Sequence, residues 1–389
     1  MKKLIALCVA VAATGIGSVN AATYVDLFIT NAKDHAFDGN LLYVTSGAQL
    51  HRYDLSRCTQ YPPLALGQQL YGVDASPDGR YVAVANGGVV NGNVRVFLFD
   101  KFGQRAPRIV SYPAEFGESG SYMVSWEGNS SLLISGTYGG SGWTPLRRYA
   151  VATGALTQVR SVRQNTMLAA SANGQTTALA ESNISSGPVH VLEAASGNVG
   201  ASANTNWFVF EIAANSDGSR LIVPTYAGAF LYQRQGTNLS QTGTIGAYAN
   251  HGPVAAAFAP DDSRIVTASY AFTATPTQQG IVLYDAQTLA RIATIDPYPF
   301  GWTGNGALGA GRLTLSRDGN WLAATLNDRV RLYDVHGELG DADRTPSSCT
   351  AAVPTFDDYA DERALQQQVD RGAPRTVDSQ GRFMGPTAK

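Results

Sequence analysis

The chain of 389 residues lacks the common signatures of catalysis. It has no GxSxG nucleophile elbow, no glycine loop that would cradle phosphate and no HExxH helix. Cysteine is scarce, with three residues, and Cys8 lies in an N-terminal apolar stretch. The two that remain are too few for an all-cysteine zinc site. The histidines His35, His51, His190, His251 and His336 are scattered without metal-ligand spacing. Asp341-Ala342-Asp343 and Asp357-Asp358 lack the spacing and central glycine of a calcium loop, and read as solvated acidic loops. No metal and no cofactor is therefore expected. Charge is sparse too, at 15% of residues and a formal net −2 at pH 7. No positive field exists to hold a nucleic-acid backbone. After the N-terminus no run of about twenty apolar residues occurs, so the mature chain is expected to be soluble rather than membrane-spanning.

What is present starts with an export signal. Lys2 and Lys3 precede the apolar stretch Leu4 to Ile16, and Val19-Asn20-Ala21 offers a cleavage site. Residues 1–21 are expected to be removed, leaving a periplasmic or secreted protein. Such a protein meets an oxidising compartment, where the remaining pair Cys58 and Cys349 is expected to form a disulfide.

A phrase then returns along the chain: a short apolar stretch, a polar turn, a second apolar stretch. The turns include Ser76-Pro77-Asp78-Gly79, Ser171-Ala172-Asn173-Gly174 and Asn215-Ser216-Asp217-Gly218. Ala259-Pro260-Asp261-Asp262 and Ser316-Arg317-Asp318-Gly319 follow, and Glu127-Gly128-Asn129-Ser130 belongs to the same set. Repeats of roughly 40–50 residues built of short strands predict a β-propeller. The expected fold is all-β: a seven-bladed β-propeller of four-stranded antiparallel blades over residues 22–353. A polar tail, 354–389, follows and could include a short helix. The first repeat is read as Asp26–Ile29, Leu41–Thr45 and Leu50–Leu55, and the fifth begins with Phe208–Ala213. The seventh lacks a clear fourth strand; either Ala22–Val25 or part of Cys349–Val353 supplies it. Cys58 falls at the outer edge of the first blade and Cys349 just past the seventh, so their bond would join neighbours in a closed ring.

Asn40-Leu41-Leu42-Tyr43-Val44-Thr45 resembles the signature of YVTN-type repeats, relatives of WD-repeat propellers. Val94-Arg95-Val96-Phe97-Leu98-Phe99-Asp100, Gly280-Ile281-Val282-Leu283-Tyr284-Asp285 and Arg329-Val330-Arg331-Leu332-Tyr333-Asp334 are similar to their third strand ending in Asp. The histidine and Trp-Asp pairs of standard WD repeats are absent. The resemblance implies the fold and leaves the activity open, since related propellers include lactone hydrolases and cofactor-free subunits of amine dehydrogenases.

Two candidate sites follow. Strand alternation puts Asp74, Glu211 and Arg312 on one face of the inner strands, toward the axis. They would form an axial polar site, or each would bind a backbone group of the next blade; the cost of unpartnered buried charge favours the second. The second candidate is the face reached by the B–C and D–A connections. Its loops carry Tyr138, Trp143, His251, Tyr270, Phe272, Tyr298, Phe300 and Trp302 among small polar residues, a composition suited to recognition. The expected function is a non-enzymatic exported scaffold that binds a protein or an envelope glycan through that face. The alternative is a lactone hydrolase-like propeller enzyme or a cofactor-free subunit of a periplasmic dehydrogenase.

Overall fold

A computed structural model describes residues 23–100, 107–182, 184, 186–246, 253–269, 280–296, 313–326, 329–335, 349 and 355–356. Strand β1 (Thr23–Leu27) precedes the meander β2 (Ala32–Asp38), β3 (Leu41–Ser46), β4 (Gln49–Asp54) and β5 (Thr59–Ala65). The same plan repeats in β6 (Leu70–Ala75), β7 (Tyr81–Val90), β8 (Asn93–Asp100) and β9 (Arg108–Pro113). It repeats again in β10 (Glu118–Glu127), β11 (Ser131–Tyr138), β12 (Trp143–Ala150) and β13 (Leu156–Arg163). Next come β14 (Met167–Ala170), β15 (Thr176–Ala180), β16 (Pro188–Glu193) and β17 (Val199–Asn204). They are followed by β18 (Ala213–Ala214), β19 (Arg220–Thr225), β20 (Gly228–Gln235) and β21 (Asn238–Ile245). A single parallel pairing, Ser202 with Asn238, joins these two meanders into one eight-stranded sheet. A further meander comprises β22 (Pro253–Phe258), β23 (Arg264–Ser269), β24 (Gly280–Asp285) and β25 (Arg291–Asp296). The last sheet has β26 (Leu313–Leu315), β27 (Trp321–Thr325) and β28 (Val330–Asp334), with β1 as its fourth strand. Among the described residues no helix is long and apolar enough to cross a membrane.

The first strands of the meanders touch in ring order: β2, β6, β10, β14, β18, β22, β26 and back to β2. Apolar layers fill the space between sheets. Tyr81-Val82-Ala83-Val84-Ala85 shows why: from Val82 to Ala85 successive residues are buried, on both faces of the strand, as a sheet covered on both sides requires. The connection from first to second strand is a side-chain-built turn. Asp78 Oδ1 accepts from Ser76 Oγ at 2.6 Å and from the Arg80 N–H at 3.0 Å, while Ser76 Oγ accepts the Tyr81 N–H at 2.9 Å. Ser316, Asp318 and Trp321 repeat the arrangement. Gly79 closes the turn at φ +66°, a region that favours glycine.

Two expectations need correction. Asp26–Ile29 is not the inner strand of the first sheet. Residues through Leu27 form the outer strand of the last sheet, where Asp26 pairs in register with Arg331 and takes ion pairs from Arg331 at 2.7 Å and Arg329 at 2.9 Å. The first inner strand is Ala32–Asp38, whose Lys33, Asp34 and His35 hide it from an apolar-pattern reading. In the fifth repeat, regular pairing begins only at Ala213, preceded by one bridge between Val209 and Thr225. Cys58 and Cys349 are bonded, with Cα atoms 4.9 Å apart. The chain then adds β29 (Thr355–Phe356) in parallel beside β5. This strand lies just past residue 353, where the sequence suggested the tail begins.

Candidate binding face and axial channel

The inner strands enclose a cavity of about 320 Å³ lined in part by Asp34, Asp74, Ser125, Ala169, Glu211 and Arg317. Asp74 Oδ2 accepts the Trp126 N–H at 2.9 Å from the neighbouring inner strand, and Oδ1 accepts the Ala75 N–H at 2.8 Å. The Trp126 indole N–H returns a bond to the Asp74 carbonyl at 3.1 Å. Asp34 Oδ2 accepts the Val73 N–H at 3.0 Å, and Glu211 Oε2 accepts the Ala256 N–H at 3.2 Å. Asp34 and Asp74 thus reach from one inner strand to the backbone of the next, and Glu211 does so from the residues that lead into β18. At the ring closure His35 Nδ1 shares a hydrogen bond with Thr314 Oγ1 at 2.8 Å, and Thr314 Oγ1 donates to the His35 carbonyl at 3.1 Å. Arg317 donates to the carbonyls of Ala75, at 3.0 Å, and Pro77.

Burial pushes the Asp74 carboxyl up to about 7; the Trp126 N–H and Arg317 oppose that rise and Asp34 adds to it. These bonds fit clasps between sheets. Arg312 lies outside the described residues. Asp34 escaped the sequence reading because its strand did. Among the described residues no three His, Cys, Asp or Glu side chains assemble as a metal site.

In each meander the first strand starts, the second ends, the third starts and the fourth ends at one face of the ring, here called the upper face. Tyr138 and Trp143 lie there, at the end of β11 and the start of β12. Tyr138 is half-buried, its ring lying against Gly117 and Gly142. Trp143 is 56% exposed, with the Arg163 guanidinium 5.5 Å from its ring centre. His251, Tyr270, Phe272, Tyr298, Phe300 and Trp302 lie outside the described residues.

Four more exposed aromatic residues belong to this face. Phe28 follows β1, Phe116 lies between β9 and β10, Trp207 between β17 and β18, and Tyr226 between β19 and β20. Phe116 is 95% exposed. The sequence reading passed over all four, although each sits in a D–A or B–C connection, the position that singled out Trp143. The opposite, lower face carries the Asp-containing turns and the ion pairs Arg80–Asp100, Arg148–Glu127 and Arg234–Glu193.

No protein-family model matches the chain, and no curated protein matches it. Its structure is similar to the β-propeller domain of Cps50 (Swd1) from Myceliophteria thermophila, with 11% identity and a TM-score of 0.59. The match covers 80% of this chain and 99% of that one. At this identity the likeness shows the fold alone: four-stranded antiparallel sheets arranged as a β-propeller.

Proposed function

We propose that this chain is an exported, non-enzymatic scaffold that holds a partner protein against the upper face of a seven-bladed propeller. The observation that carries the reading is the gathering of Phe28, Phe116, Trp143, Trp207 and Tyr226, all exposed, at one face. Aromatic anchors supply large contact area and dominate many protein interfaces. The count of seven treats the eight-stranded sheet as two blades, supported by the lone pairing between its halves and by the contact order of the inner strands. Export is supported by the basic-then-apolar N-terminus and by a disulfide, a bond that persists in oxidising compartments. YVTN-like phrases agree with a bacterial-type exported member of the propeller group. On this reading 22–353 is one propeller and 354–389 a tail.

The test compares two sets of substitutions in the exported protein. Changing Phe28, Trp207 and Tyr226 to serine should remove a co-purifying partner from the envelope fraction. Changing Arg80, Asp217 and Asp261 to serine on the lower face should leave it. Loss only with the second set, or retention of the intact N-terminus in the cytoplasm, would contradict the proposal.

A further inference from the structure

We infer that an open pocket at the upper face of the first blade, lined in part by Lys33, Ser46, Gln49 and Gln69, binds a small hydroxylated monocarboxylate. The inference goes beyond the partner-protein reading and does not depend on it.

Three connections of the upper face meet at this pocket. Thr30 and Asn31 lie between β1 and β2, Gly47 and Ala48 between β3 and β4, and Gln69 between β5 and β6. The space they enclose measures about 520 Å³, within the range of roughly 300–1,000 Å³ usual for small-molecule sites. Its walls are tied together across all three connections. Ser46 Oγ donates to the Thr30 carbonyl at 2.5 Å, and Gln69 Nε2 donates to the Leu70 carbonyl at 2.8 Å. The Leu66 N–H donates to the Ala48 carbonyl at 2.8 Å and the Leu70 N–H to the Gly47 carbonyl at 2.7 Å. Walls fixed in this way lower the ordering cost of binding.

Lys33 reaches the pocket through a β-bulge. Ala32 pairs with Ser46 and Asp34 with Thr45, which leaves Lys33 as the extra residue of β2. A bulge re-aims the side chain it carries. Asp34, the carboxylate next in sequence, accepts the Val73 N–H at 3.0 Å and lines the axial cavity instead. The Lys33 side chain is half-buried and makes no ion pair or hydrogen bond among the described residues. Burial alone holds its ammonium below the usual lysine value, with no carboxylate to raise it. A half-buried cation without an anion costs free energy that a bound anion recovers.

The rest of the wall selects what carries the anion. Among the described lining residues none is acidic, none is a second cation, and Ala48 alone has a wholly apolar side chain. One positive charge matches one negative charge, so a carboxylate suits the pocket better than a phosphate dianion. The Thr30 hydroxyl and the Asn31 and Gln49 amides make no side-chain hydrogen bonds among the described residues, and can exchange water for ligand hydroxyls. A purely aliphatic acid would set hydrocarbon against those groups and leave them unpaired.

The experiment titrates D-glucuronate into the full-length protein by calorimetry, with D-glucose, propionate and inorganic phosphate as comparison probes. Glucuronate should bind at one site, with affinity falling between about 50 and 500 mM NaCl. Glucose, which lacks the charge, should bind about tenfold more weakly or worse, and propionate, which lacks the hydroxyls, about threefold or more. Phosphate should bind more weakly than glucuronate. Lys33→Gln should keep the melting temperature and weaken glucuronate by about tenfold or more. Ala48→Phe, which fills the pocket and leaves the lysine in place, should weaken it as much. Arg163→Gln, which removes a different cation of the same face, should leave it unchanged. An absence of glucuronate binding would overturn the inference. So would tighter binding of phosphate, equal binding of glucose or propionate, or full binding by both Lys33→Gln and Ala48→Phe. None of these results touches the partner-protein reading, which the ring substitutions decide separately.

Discussion

Asp74 shows how one side chain can couple two blades and make their union depend on pH. Its carboxylate is buried and holds the backbone of Trp126 across the gap. Asp74→Ala leaves the N–H groups of Trp126 and Ala75 without that acceptor, at a cost of about 1–3 kcal/mol for each buried donor left unpaired. The carboxyl is raised from 3.8 to about 7, so between those values the folded chain keeps a proton that the unfolded chain has released. Stability from this residue therefore falls as pH rises through that window. His51 works the other way: burial lowers it from 6.5 to about 4, so stability falls as pH drops from 6.5 to 4. In the wild type the two slopes oppose each other. Asp74→Asn removes one of them, and its stability should climb with pH more steeply than that of the wild type. Urea midpoints measured from pH 4 to 7 would show this; parallel curves for the two proteins would mean that Asp74 does not titrate there. The sequence made Asp74 and Glu211 legible because charge is rare on inner strands. It hid Asp34, which does the same work from a strand that is polar along its first half.

At the scale of the element, the polar turns were the most legible feature, because their geometry is written in side chains: Ser or Asn often first, Asp or Asn third, glycine often fourth. Strand edges were less so, since ladder pairing depends on neighbours distant in sequence. Strand β1 is the clearest case. Its local pattern suits either an inner or an outer strand, and only the partnership of Asp26 with Arg331 and Arg329 assigns it to the last sheet. Those cations hold the Asp26 carboxyl below its ordinary value against the opposing effect of burial. Its stabilising effect is thus present above pH 3.8 and is lost as pH falls below it. Asp26→Asn should destabilise the protein by about 1–3 kcal/mol at neutral pH, less than a fully buried pair because the site is partly solvated. Thermal unfolding at pH 7 and pH 3 should show the difference between variant and wild type shrinking in acid; an equal difference at both would disprove the role. The loop aromatics were legible only as a composition. Which rings are exposed depends on contacts made only in the fold: Tyr138 lies against Gly117 and Gly142, whereas Phe116 stands in solvent.

Across the whole molecule, the ring is fastened twice, by β1 beside β28 and by the bond from Cys58 to Cys349. A disulfide closing so long a loop contributes about 2–4 kcal/mol in typical proteins. Cys58→Ser should lower stability by that order while the far-ultraviolet dichroism stays unchanged, because the strand closure remains; a collapse of the β signal would place closure on the disulfide alone. Five of the exposed rings, Phe28, Phe116, Trp143, Trp207 and Tyr226, lie on the upper face and Tyr24 on the lower, which also carries the turn carboxylates; ion pairs occur at both faces. That division is the basis for assigning recognition to the upper face, and site-specific photo-crosslinking in the native envelope tests it most directly. A photoreactive residue placed at Phe116 or Trp207 should yield a discrete cross-linked protein product, and one placed at Arg80 or Asp217 should yield none. The same product from the lower-face positions, with nothing from Phe116 and Trp207, would contradict the account.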